Sequence, residues 1–134
     1  MSTMFKPLKR AREVIADFPS KSIDAGGYFD AISISDRSGE LYEFMVLSPN
    51  TSFRVTVAVD GTTILSKTYS EFNALTQSLR SVSAFAELDE NGNPTGEYLV
   101  SLKDISFLRS LIVRVSNTGG TSAIFIIFGK YTFS

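Results

Sequence analysis

The stretch that most narrows what this chain can become is its last quarter, Leu111 to Phe133, which reads LIVRVSNTGGTSAIFIIFGKYTF. Ile112, Val113 and Val115 fill one arm and Ile124, Phe125, Ile126, Ile127 and Phe128 fill the other. β-Branched and aromatic residues bounded by Asn, Thr and Gly mark strands. The stretch therefore predicts two β-strands joined through Gly119-Gly120 as a closing hairpin. The second arm is apolar on both alternating faces, which suits a central strand buried on both sides. A second reading of the same pattern buries one of those faces against another subunit.

The period of two runs back through most of the chain. Tyr28, Asp30, Ile32 and Ile34 alternate with Phe29, Ala31, Ser33 and Ser35, and Asp36-Arg37-Ser38-Gly39 reads as a turn. Tyr42, Phe44 and Val46 form one apolar face of the next strand, and Leu41, Met45 and Leu47 form the other. Phe53, Val55, Val57 and Val59 against Ser52, Arg54, Thr56 and Ala58 is the cleanest alternation. Asp60-Gly61 follows, a favoured pair for a type I′ hairpin, and Thr62 to Tyr69 returns as the partner. Ser70 is placed to cap a short helix over Glu71 to Leu79, with Phe72, Leu75 and Leu79 as a lid on the end of the domain. Val82 to Leu88 and Tyr98 to Leu102 flank a turn-rich loop, and Lys103 to Arg109 reads as a connection. About eight strands at regular spacing with one short helix predict an all-β fold, an antiparallel β-sandwich of jelly-roll type.

Residues 1–26 do not share that pattern. Lys6, Lys9, Arg10, Arg12 and Lys21 make residues 1–21 net +3, while the remainder is net −4. Pro7 suits the first turn of a helix over Leu8 to Asp17, which Phe18-Pro19-Ser20 would end. Ala25-Gly26-Gly27 reads as a hinge. The expected organisation is a basic arm with a short helix over 1–26 and a β-sandwich domain over 27–134. No apolar h-region follows the basic residues, so no secretory signal is expected. Ala123 to Gly129 is about a third of a membrane span.

Composition excludes several chemistries. The chain has no cysteine and no histidine, so it has no thiolate nucleophile or metal ligand, no imidazole base and no Ser-His-Asp relay. No catalytic residues, cofactor or metal ligands are assigned. Asp89, Asn91 and Asn93 stand at the first spacings of a calcium loop, but Pro94 replaces its glycine and Glu97 comes too early for the twelfth ligand; a hairpin turn accounts for them equally well. Tyr28, Tyr42, Tyr69, Tyr98 and Tyr131 are candidates for a sugar-stacking platform, with the edge of the core as the default. The basic arm lacks interleaved aromatics, so nucleic acid is not an expected partner.

A basic arm (Lys6, Lys9, Arg10, Arg12), a Gly-Gly hinge and one all-β domain together resemble small structural proteins of tailed-bacteriophage virions. Within that group the chain is most similar to capsid cement or decoration proteins. The resemblance implies a non-enzymatic virion protein, a homo-oligomer (trimer favoured) seated on the major capsid or another virion protein, with no membrane partner. Assembly contacts are expected at Phe5, Lys6, Lys9, Arg10, Arg12, Tyr131 and Phe133. Tail, baseplate and receptor- or carbohydrate-binding modules share this organisation and form the alternative.

Overall fold

The computed structural model describes residues 12–76 and 82–134, and in them the period of two becomes nine antiparallel strands and one short helix. The strands are β1 (Arg12–Ile23), β2 (Tyr28–Ser35), β3 (Gly39–Ser48), β4 (Phe53–Val59), β5 (Thr62–Thr68), β6 (Val82–Leu88), β7 (Pro94–Phe107), β8 (Ser110–Asn117) and β9 (Ala123–Phe133). Helix α1 (Tyr69–Leu75) lies between β5 and β6. One sheet has the order β1-β9-β3-β7-β6 and the other β2-β8-β4-β5. Leaving β6 aside as an extra edge strand, two four-stranded sheets remain, with the chain passing back and forth between them. This is the connectivity of a jelly roll.

The inner faces of the two sheets share one core. Phe44, Val46, Val100, Leu102, Phe125 and Ile127 come from the first sheet. Phe53, Val55, Val57, Leu111, Val113 and Val115 come from the second, and all twelve are fully buried. Phe53 and Phe125 meet edge to face across the layers with centroids 6.0 Å apart. Close strand approach explains Gly39, where a Cβ would run into the Thr132 carbonyl and stand 2.8 Å from Phe107 Cζ.

The hairpin expected at the C-terminus does not form. β8 sits between β2 and β4, whereas β9 sits between β1 and β3 in the opposite sheet. Each arm has one alternating apolar set, Leu111/Val113/Val115 and Ala123/Phe125/Ile127, and setting these faces across the core buries both. Asn117 holds the crossing: its Nδ2 donates to the carbonyls of Ile23 and Thr121 at 2.9 Å each, and its Oδ1 accepts from Gly119 N at 2.9 Å. The expectation that β9 is buried on both faces also fails, because Ile124 and Ile126 lie exposed.

The helix expected over Leu8 to Asp17 is strand from Arg12 onward; residues 8–11 lie outside the described residues. Val14, Ala16 and Phe18 form the alternating half-buried set, and pairing with β9 outweighs the weak helical signal. Pro19 falls at a register shift on this edge strand, where a missing N–H is tolerated. The stretch read as a hinge is a hydrogen-bonded turn: Gly27 N donates to Asp24 O, and Gly26 N donates to Asn117 O, both at 2.9 Å. Residues 103–107, read as a connection, continue β7 against β3.

The Asp60-Gly61 hairpin forms as expected, with both residues at positive φ (52° and 84°). The helix cap is Thr68 instead of Ser70. Thr68 Oγ1 accepts from Glu71 N and the Glu71 carboxylate accepts from Thr68 N, closing a capping box. Phe72 is fully buried beneath this helix, while Leu79 lies outside the described residues.

Candidate functional site

The strand registers decide what each sheet shows to solvent. On the outer face of the five-stranded sheet, Ile126 pairs with Leu47, Leu47 with Leu99, and Leu99 with Phe85. Their inward neighbours Ile127, Val46, Val100 and Ala84 are buried, so these four side chains point away from the core. They form a continuous apolar row over β9, β3, β7 and β6. Phe128 and Met45 pair in the next row, and Ile124 lies beyond Ile126 on the same face. Ile124 is 57% exposed, Phe85 48% and Ile126 39%; Leu47, Leu99, Met45 and Phe128 are half-buried.

Towards the other end of the same face the chemistry changes. Lys130 pairs with Glu43 and Glu43 with Lys103, alternating in sign from strand to strand. Glu13 of β1 reaches Lys130 Nζ at 3.5 Å. With Tyr42 these residues line a shallow, open depression of about 410 Å³. Tyr42 bulges there because β3 has one residue more than β9 between Leu41 and Glu43. Two lysines against two glutamates leave this end electrically balanced. At the opposite rim Glu97 sits beside Glu87, and the hydrogen bond between the two carboxyls holds the Glu97 pKa above the usual carboxylate value.

The outer face of the four-stranded sheet is built differently. Arg114 donates to both oxygens of Asp30, at 2.6 and 3.2 Å, and its guanidinium lies 3.9 Å from the centroid of the Tyr28 ring. Arg54 donates to the Ser66 carbonyl at 2.7 Å, and Thr56 and Ser66 hydroxyls share a hydrogen bond at 3.1 Å. These polar groups satisfy one another.

Of the residues expected to make assembly contacts, Phe5, Lys6, Lys9 and Arg10 lie outside the described residues. Arg12 starts β1 opposite Phe133. Tyr131 and Phe133 are half-buried against the core, with their rings 6.3 Å apart, and Phe133 also lies under Arg37. Of the exposed apolar row, Ile126 lies on the strand whose second face was read as a possible subunit contact, whereas Leu47, Leu99 and Phe85 were not among the expected contacts. The row's one sequence signal was that β3 and β9 are apolar on both alternating faces.

The five tyrosines do not assemble into one platform. Tyr69 and Tyr98 pack edge to face at 5.1 Å around the core, and burial pushes the hydroxyl pKa of both Tyr69 and Tyr131 up. Tyr28 and Tyr42 are exposed, but on opposite sheets. In the Asp89 loop, Asp89 Oδ1 accepts from Asn91 N and Asn93 N, both at 2.9 Å, so this carboxylate organises its own hairpin turn. No helix among the described residues is long and apolar enough to cross a membrane. Set beside known proteins, the chain matches no protein-family model and no curated protein.

Proposed function

We propose that this chain is a non-enzymatic structural protein that works through subunit contacts, and within that class a capsid cement or decoration protein of a tailed-phage virion. The observation that carries the reading is the apolar row Ile126–Leu47–Leu99–Phe85 on an outer sheet face. Apolar area left in water is a standing driving force for association, about 25 cal/mol for each Å² that a partner covers. A cement protein needs little else: a rigid scaffold, and a surface that gains free energy when a lattice neighbour covers it. The jelly roll supplies the scaffold and recurs in viral capsid domains, though also in lectins. The chain would act as a homo-oligomer bound to a major capsid or other virion protein.

A second reading, a tail or receptor-binding module that holds a carbohydrate, draws on Tyr42 at the depression lined by Glu13, Glu43, Lys103 and Lys130. It predicts saturable glycan binding that quenches tyrosine fluorescence and is lost in Tyr42→Ala.

Sedimentation of gently lysed source material separates the two. Recovery of the protein with a megadalton particle supports the cement reading. Recovery only as a free small species overturns it.

A further inference from the structure

We infer that the outer face of the five-stranded sheet binds a second copy of this chain, about a two-fold axis running parallel to the strands between β3 and β7. The inference rests on the reading of that face as an assembly surface, and not on the particle in which the assembly would sit.

Three observations converge on it. The first is size. The four strands that this axis overlays, spaced about 4.8 Å apart, and the ten residues of β3 at about 3.3 Å each, make a face roughly 19 Å by 33 Å. That is about 630 Å² from each copy, or roughly 1,250 Å² in all, at the lower end of the range for a specific interface. The second is composition: the face is apolar over its middle and charged at its ends, the arrangement of interface core and rim.

The third is complementarity. A rotation about the stated axis lays β3 of one copy over β7 of the other at the same level along the strands. Leu47 then covers Leu99, Ile126 covers Phe85, and Glu43 meets Lys103, each contact occurring twice by symmetry. Moving the axis onto β3 sets Glu43 against Glu43 and Lys130 against Lys103. Moving it to the gap between β9 and β3 leaves Phe85 uncovered and places Leu99 against the irregular Pro19 stretch of β1. Of these three positions, the β3/β7 gap alone covers the apolar row and sets Glu43 against Lys103. Two twisted sheets stacked in this way cross at about 30°.

The test uses the full chain in sedimentation equilibrium, with circular dichroism confirming the fold of each variant. The wild type is expected to be a dimer. Ile126→Asp, at an exposed position, is expected to be a folded monomer. Glu43→Lys sets lysine against Lys103 twice, and Lys103→Glu sets glutamate against Glu43 twice, so each is expected to weaken the dimer at least tenfold. Mixing the two variants in equal amounts pairs lysine with glutamate at both positions and is expected to restore the association of the wild type. A repair of like-charge contacts within one chain cannot produce that rescue. A wild-type monomer or trimer, an Ile126→Asp dimer, or a mixture no tighter than the single variants overturns the inference. A dimer rescued in the mixture but never recovered with a particle supports it and removes the virion reading instead.

Discussion

The two outer faces of this sandwich come from the same fold and the same strand geometry, yet they leave opposite things unfinished. On the four-stranded sheet, Arg114 is satisfied by Asp30 and Tyr28, and Arg54 and Thr56 by Ser66, while Ile64 on the edge strand β5 is exposed. On the five-stranded sheet, the middle of the face is Ile126, Leu47, Leu99 and Phe85, groups that only a covering surface can remove from water. A polar side chain can be satisfied by water, whereas an apolar one gains free energy only when something covers it. Both faces sit on equally buried interiors, so the difference lies in the outward residues and not in how well each sheet is packed.

The largest effect expected from breaking this comparison lies on one strand. Phe125 and Ile126 are neighbours, but Phe125 is fully buried and Ile126 faces out. Phe125→Ala should cost about 3–5 kcal/mol in chemical denaturation, and Phe125→Asp should abolish soluble folding. Ile126→Ala, measured at a concentration low enough to keep the protein monomeric, should change stability by less than about 0.5 kcal/mol. Comparable losses at both positions would mean that the outer face of β9 is covered within the monomer.

Next in size is Asn117→Ala. This buried side chain satisfies two carbonyls and one N–H where the chain passes from β8 to β9, and its loss should cost about 1–3 kcal/mol by urea unfolding. The two faces are held back to back through this crossing, so the variant should also bring forward protease cleavage near residues 118–122.

A smaller effect is expected on the polar face. Arg114→Ala removes a partly exposed bidentate pair, worth up to about 1 kcal/mol, and should leave the native mass unchanged. A shift in oligomeric state with Arg114→Ala would show that assembly uses the four-stranded sheet after all.

The smallest effect is set by acid. Asp60 accepts from the N–H groups of Leu108, Arg109 and Ser110 at 3.0, 2.6 and 3.1 Å, tying the β4–β5 turn to the link between β7 and β8. These bonds, the Arg109 N–H foremost, hold its pKa below the ordinary value of 3.8. A lowered folded-state pKa contributes stability that is present above the unfolded value and is lost as pH falls through the folded one. Thermal midpoints should therefore drop below about pH 4, and by less in Asp60→Asn. Glu97 works in the opposite sense. Its raised pKa favours the protonated form in the folded state, so acidification through that range should slightly stabilise the β6–β7 rim, and Glu87→Gln should reduce the effect.

Much of the fold was legible along the chain. The alternation Phe53/Val55/Val57/Val59, the Asp60-Gly61 turn and the core position of Phe125 all follow from local pattern and turn chemistry, and the structure shows each of them. Arg12–Ile23 was misread because Pro19 resembles a helix terminator, whereas on an edge strand its missing N–H costs little. The candidate site was barely legible. Leu47, Leu99, Phe85 and Ile126 are 14 to 79 residues apart in pairs that touch only once β3, β7, β6 and β9 lie side by side.

By itself, the sequence determined that the chain is all-β, where most strands begin and end, and that imidazole and thiol chemistry are absent. Those are properties of residue type and of period two, and both are local. The tertiary structure alone decided that β8 and β9 face each other across the core instead of pairing, and that one row of apolar residues lies in register across four strands. Strand order and register depend on contacts between distant residues, and a slip of one residue would exchange the buried and exposed faces of a strand. The surface proposed here for assembly is therefore encoded in the sequence but visible only in the sheet.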